Sequence, residues 1–121
     1  MAEERAGSTG MQQNIAGLLC YLLGWVTGLV FYFMEKENKF VRFHAMQSII
    51  VFGGLSIIGG LLTLLAMLLL LIPTAGPILF GLLMAFGSLL VTILWILLMV
   101  KAYQNVRFKI PKIGDLAEKY S

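Results

Sequence analysis

The chain has 121 residues, of which 60% are hydrophobic before its 13 glycines are counted and only 12% are charged. An ordinary soluble domain is roughly half apolar even with glycine included, and a chain this short cannot hide such an excess from water. A soluble enzyme, a disordered tail and a disulfide-stapled secreted domain are all disfavoured, and most of this chain has lipid as its solvent.

In chain order, residues 1–13 are small and polar and predict a flexible extracytoplasmic tail. They carry Glu3, Glu4 and Arg5, not the basic start of a secretory signal. Residues 14–34 are 21 uncharged positions and predict one transmembrane helix, a retained signal anchor about 30 Å long. Its Cys20 is the sole cysteine, so no intrachain disulfide forms, and with one histidine a Cys/His zinc site is excluded. Residues 35–45 form a charged, amphipathic cytoplasmic segment. Asn38 is a suitable N-cap, so a long helix is expected to start there, with its first two turns at the interface.

No Lys, Arg, Asp or Glu lies between Ala45 and Val100, a run of 56 residues. About 20 apolar residues span a bilayer core, so the run holds two crossings. Residues 46–72 are the second transmembrane helix; its pairs Gly53-Gly54 and Gly59-Gly60 predict a local kink, because a full break would leave pieces too short to span. Residues 73–77, where Pro73 and Pro77 bracket Gly76, make an extracytoplasmic turn. Residues 78–101 are the third helix, and residues 102–121 a basic cytoplasmic tail in which Asp115 to Tyr120 add a brief amphipathic turn.

The predicted fold is therefore all-α: an integral membrane protein with three transmembrane helices, an interfacial extension before the second and a basic tail. With three crossings, Lys36, Lys39, Arg42, Lys101, Arg107, Lys109, Lys112 and Lys119 share one side and Arg5 alone holds the other. Such an imbalance sets the N-terminus outside and the C-terminus in the cytoplasm, in the plasma membrane of a prokaryote.

Small residues recur where helices would pack closely: Ala16, Cys20, Gly24 and Gly28 in the first block, Ser56 and Gly60 in the second, and Gly81, Ala85 and Ser88, followed by Thr92, in the third. They are expected chiefly to pack the three helices together, and otherwise to join subunits. His44, Gln47 and Ser48 share a face near the cytoplasmic end of the second helix, at the depth expected for Tyr103 and Gln104. Buried polar groups in lipid need partners, so these five predict a polar interhelical cluster. Lys39, Arg42, Lys101, Arg107, Lys109 and Lys112 suit contact with lipid headgroups. Phe31, Tyr32, Phe33, Phe40, Phe43, Tyr103 and Phe108 predict a cytoplasmic aromatic belt, while Trp25 and Trp95 pack nearer the middle.

No nucleophile–base pair, carboxylate pair, phosphate loop or metal-ligand cluster stands out, so no catalytic activity, cofactor or metal is expected. The basic charge belongs to the membrane surface, so nucleic acid is not an expected partner. Membrane lipids, a second copy or another membrane protein are.

The stretch Phe40-Val41-Arg42-Phe43-His44-Ala45-Met46-Gln47-Ser48, with Ala102-Tyr103-Gln104 and Phe108-Lys109-Ile110-Pro111-Lys112-Ile113-Gly114-Asp115-Leu116-Ala117-Glu118, resembles a family of small uncharacterised prokaryotic membrane proteins. That family is grouped with the chloroplast import component of the Tic-twenty type. The resemblance, over residues 12–119, implies a role beside protein translocation, although the plastid relative has four helices. It points to His44, Gln47, Tyr103 and Gln104 as helix-contact positions.

The expected function is non-enzymatic helix-mediated assembly, as a homo-oligomer or as a subunit of a translocation or insertion complex. The rival is an oligomeric pore or transporter for a small solute, for which Ser48, Ser56, Thr63, Ser88 and Thr92 are the polar residues within the spans. A third reading is lipid binding or bilayer shaping through the basic interfacial segments.

Overall fold

The computed structural model describes residues 10–121; residues 1–9, and with them Arg5 and most of the expected N-terminal tail, lie outside the described residues. The elements are α1 (Gln13–Leu22), α2 (Trp25–Met34), α3 (Lys39–Ala66, prolonged by a 3-10 segment Met67–Leu71), α4 (Ala75–Tyr103) and α5 (Ile113–Tyr120).

The first apolar block is not one helix. It breaks at Leu23 and Gly24, where Gly24 has φ 64° and ψ −134°, outside even the left-handed region open to other residues. A break frees backbone groups that lipid cannot satisfy, and here neighbours supply hydrogen bonds. The Thr27 hydroxyl accepts from the Leu23 N–H (3.1 Å) and faces the Cys20 carbonyl (3.2 Å). Trp95 Nε1 donates to the Tyr21 carbonyl (2.6 Å) and Ser48 Oγ to that of Gly24 (2.7 Å). The break is thus held from inside the turn and from both long helices.

α1 and α2 form a hairpin that returns to the end of the bundle where it began. Gln13, at the start of α1, is hydrogen bonded to Asn38 (2.9 Å) and Asn105 (3.0 Å). The Gly24 apex lies against Ser48 and Phe52, and α2 then descends so that Gly28 meets Ala45 and Ser48. Each limb has ten residues, about 15 Å of helix and half of a bilayer core. The single helix expected over residues 14–34 is corrected to two: the spacing of Gly24 and Gly28, read as a packing stripe, hides a hinge at its first member.

α3 starts where expected, with Asn38 Oδ1 accepting from the Val41 N–H (3.1 Å). It runs through both glycine pairs as uninterrupted helix as far as Ala66. Its lower turns are part of the core. Phe40, Val41, Phe43 and Ala45 are buried, so Phe31, Phe40 and Phe43 leave the predicted aromatic belt, whereas Phe33 and Tyr103 are exposed. The turn after α3 is shorter than predicted, because α4 begins at Ala75 and takes Gly76 and Pro77 into its first turn, where a missing N–H costs nothing.

α4 ends in a Schellman motif: Asn105 has φ 62°, its N–H donates to the Ala102 carbonyl (3.1 Å), and the Val106 N–H donates to that of Lys101 (2.9 Å). The chain then turns back beneath the bundle, and α5 packs on α3. The basic tail is therefore part of the fold.

The core is confined to one end, the base. It joins Ala16, Cys20 and Tyr21 of α1 to Phe31 of α2, to Phe40, Val41, Ala45, Val51 and Phe52 of α3, and to Leu98 and Ala102 of α4. α1 is inserted between the two long helices there: a Cβ on Gly17 would lie 2.9 Å from Phe40 and 3.3 Å from Ala102. Above the hairpin α3 and α4 hardly touch, and their leucines face outward, Leu65 at 64% and Leu71 at 80% exposure. A groove of about 700 Å³ opens between them, lined by residues including Gly59, Thr63, Gly87 and Ser88.

Candidate functional site

The base holds a buried polar network. Its centre is His44 on α3, flanked one turn on by Gln47 and Ser48, all three without solvent exposure. The Val106 carbonyl, 3.1 Å from His44 Nε2, can only accept, so Nε2 carries the proton. Nδ1 is then the acceptor of the Tyr21 hydroxyl proton (2.7 Å). Gln47 Nε2 donates to Tyr21 Oη (2.9 Å) and to the Phe108 carbonyl (3.0 Å), and Gln47 Oε1 accepts from the Ile110 N–H (3.2 Å). Every donor finds an acceptor, which specifies one histidine tautomer and one proton order.

The network has a mechanical consequence. Gln47 clamps the backbone of residues 108–110 as a neighbouring strand would, so the segment after α4 is held by α3 through side-chain-to-backbone bonds. The Phe40 and Phe43 rings pack edge-on to His44 and seal the network (centroids 4.5 and 5.2 Å). Beside it, the buried Glu35 carboxylate accepts from the N–H groups of Glu37 (3.0 Å) and Asn38 (2.9 Å). Arg42 donates to the carbonyls of Tyr32 (2.8 Å) and Glu35 (2.9 Å) at the end of α2, and its guanidinium lies over the Tyr32 ring, 4.2 Å from the centroid.

Of the five residues expected to cluster, the structure brings together His44, Gln47 and Ser48. Tyr103 and Gln104 face outward, because the αL turn at Asn105 carries the chain under the bundle one residue past them. Their places are taken by Tyr21 and by the Val106, Phe108 and Ile110 backbone. Tyr21 and Gln13 were missed because a hairpin, not a span, aims them into the base; Trp95 packs against Tyr21 as expected, whereas Trp25 is exposed. The available signal was Thr27, three residues after Gly24, a spacing suited to capping a second helix start.

The expected headgroup residues divide. Lys39 and Lys112 are exposed and Lys101 is half-buried, whereas Arg42 is committed to the end of α2. Arg107 and Lys109 pair with Glu118 of α5 (3.3 and 2.6 Å). The Lys109 hydrogen bond, first, and the nearby Arg107 hold the Glu118 carboxyl below its ordinary pKa. A carboxylate lowered on folding stabilises above its unfolded pKa, and that contribution disappears as pH falls through the lowered value. Acidification through the carboxylate range, or Glu118→Gln at neutral pH, is therefore expected to raise hydrogen exchange of the α5 amides relative to unstructured-peptide rates. All three side chains are well exposed, so the effect is small and shrinks with salt; unchanged α5 protection in the Glu118→Gln protein would count against it.

The small residues also divide. Ala16 and Cys20 are fully buried, and Gly28 abuts Ser48. By contrast Ser56, Gly60, Gly81, Ala85 and Ser88 are exposed, and a Cβ on Gly60 or Gly81 would meet nothing within 4 Å. Among the described residues no three His, Cys, Asp or Glu side chains come together.

Residues 4–117 match the model of the magnetosome magnetite crystal formation protein family. The chain belongs to that family. Among its relatives, a UPF0132 membrane protein of Methanocaldococcus jannaschii is 51% identical, covering 94% of this chain and 93% of its own length. A second from that organism is 41% identical over 96% of this chain and 75% of its own. One from Archaeoglobus fulgidus is 43% identical over 90% and 95%. No solved structure matches the chain. The small-membrane-family part of the resemblance is thus confirmed, while these matches carry no link to the plastid import component or to protein transport. These relatives are membrane proteins by name, in two archaea. This chain has two helices, Lys39–Leu71 and Ala75–Tyr103, long and apolar enough to cross a bilayer. Together these place it in a prokaryotic membrane.

Proposed function

We propose that this protein is a non-enzymatic architectural component of a prokaryotic membrane, built to assemble laterally with further copies of itself. Two helices cross the bilayer, the α1–α2 hairpin re-enters from the cytoplasmic side, and all eight described cations lie at the cytoplasmic base. In it the start of α1 lies on the cytoplasmic side, since Gln13 sits beside Asn38 and Asn105, and the cations obey the positive-inside rule. The family's name connects relatives with magnetite crystal formation in magnetosomes; the part proposed for this chain is organisation of the membrane.

The observation that carries the assembly reading is the fate of the small residues. Those of the hairpin are consumed within the monomer, while Gly60, Gly81, Ala85 and Ser88 lie on open faces of α3 and α4. In lipid, close backbone approach at such faces is a main source of helix association. Single cysteines at Gly81 and Ala85, in a Cys20→Ala background, are expected to give disulfide-linked dimers in native membranes on mild oxidation. A cysteine at Leu71, at the exposed tip, gives far less. Equal crosslinking at all three positions, or none, would refute the assembly reading.

A further inference from the structure

The cross-section of the molecule changes along the membrane normal. At the turn around Pro73 it is two helices joined by three residues. From the level of Gly24 downward α1 and α2 enter the same layer, and α5 lies against α3 below them. Because each hairpin limb is about 15 Å long, against about 30 Å for the hydrocarbon core, the added bulk falls in one half of the bilayer. α1 also stands between α3 and α4 at the base, as the contacts of Gly17 with Phe40 and Ala102 show. Higher up, glycines 59, 60, 81 and 87 face open space.

The outer surface of the hairpin is apolar. Leu22, Leu23 and Val26 at its apex, and Val30 and Phe33 down α2, are exposed. Such a surface displaces acyl chains, as an interfacial apolar helix does, but it is fixed to two crossing helices and cannot redistribute between leaflets. The cations mark which leaflet is displaced: Lys36, Lys39, Lys101, Lys112 and Lys119 all belong to the wide end.

We infer that the protein is a bilayer wedge: the half-depth hairpin expands the leaflet at the basic end, so the protein favours membrane that is convex toward that end. Its partner is the lipid bilayer itself. The inference rests on the two-crossing topology proposed above but not on lateral assembly.

The test uses the full chain reconstituted at low density into vesicles of one mixed neutral and anionic composition, graded from large extruded to small sonicated. Ser121→Cys reports the wide end and Thr74→Cys the narrow end. An impermeant maleimide is applied before and after detergent, with the wild-type chain controlling for the buried Cys20. The outside-to-inside ratio for Ser121→Cys is expected to rise severalfold as diameter falls, and that for Thr74→Cys to drop in step. The same slopes are expected without anionic lipid. A ratio independent of diameter, or a slope that vanishes with the anionic lipid, overturns the wedge. A Gln12→Cys reporter keeps the two failures apart: labelling opposite to Ser121→Cys defeats the topology, whereas same-side labelling with a flat ratio defeats the wedge alone.

Discussion

Replacing Gly24 with leucine is expected to turn the hairpin into a third crossing. The wild-type conformation at Gly24, φ 64° and ψ −134°, costs a non-glycine residue roughly 1–3 kcal/mol. Leucine in a membrane helix adds roughly 0.5 kcal/mol in favour of a continuous span. Space is not the obstacle, since a Cβ at Gly24 would rest 3.5 Å from Phe52 in ordinary contact; the backbone is. The 21 uncharged residues of the block are long enough to cross once the hinge is removed. The reporter is Gln12→Cys with an impermeant maleimide in intact cells. In the wild-type background it labels from the side of Ser121→Cys, and in the Gly24→Leu background from the opposite side. Gly28→Leu provides the contrast. Its backbone is helical but its Cβ would sit 2.9 Å from Ser48 Oγ and 3.0 Å from the Ala45 carbonyl, so it loosens α2 from α3 with the topology unchanged. A Gly24→Leu chain that labels and melts as wild type would remove the hinge from the account.

Gln47→Leu is expected to release the C-terminal segment while both long helices stay in the membrane. Leucine keeps the volume but leaves the Phe108 carbonyl and the Ile110 N–H without their partner. Each buried group left unmade costs about 1–3 kcal/mol, so the docked segment loses about 2–6 kcal/mol in all. Nothing comparable threatens α3 or α4, whose backbone bonds are internal and whose insertion is driven by dozens of apolar side chains. Trypsin cleavage after Lys109 and Lys112 in proteoliposomes should therefore accelerate by an order of magnitude or more. Tyr21→Phe is the control, because it removes the hydroxyl's bonds to His44 and Gln47 but leaves both Gln47 bonds to the backbone of residues 108–110 in place. Equal cleavage rates in Gln47→Leu and wild type would show that the clamp holds nothing.

Much of the outline was legible. The N-cap at Asn38, the stop near Pro73 and the long apolar helices on either side of it follow from local chemistry, namely an amide that caps and an uncharged run that needs lipid. His44, Gln47 and Ser48 were legible as a face because a helix repeats every 3.6 residues whatever surrounds it. What misled was the first apolar block. A run of 21 uncharged residues reads as a span by length and composition, and Gly24 within it reads equally well as a packing glycine. The choice between hinge and packing site depends on Trp95 and Ser48, which reach the carbonyls of Tyr21 and Gly24 from 74 and 24 residues away.

The opening count of apolar and charged residues determined by itself that this protein lives in a membrane, where its two long helices lie and which end carries the cations. Each of these depends on the free energy of transferring side chains into lipid, a sum over residues in which distant contacts play no part. Only the tertiary structure decided that the first block turns back on itself at Gly24 and that the basic tail is bound into the base. It likewise decided that small residues are consumed in the hairpin but left open on α3 and α4. Those outcomes turn on whether particular buried N–H and C=O groups find partners, and the partners lie on other helices.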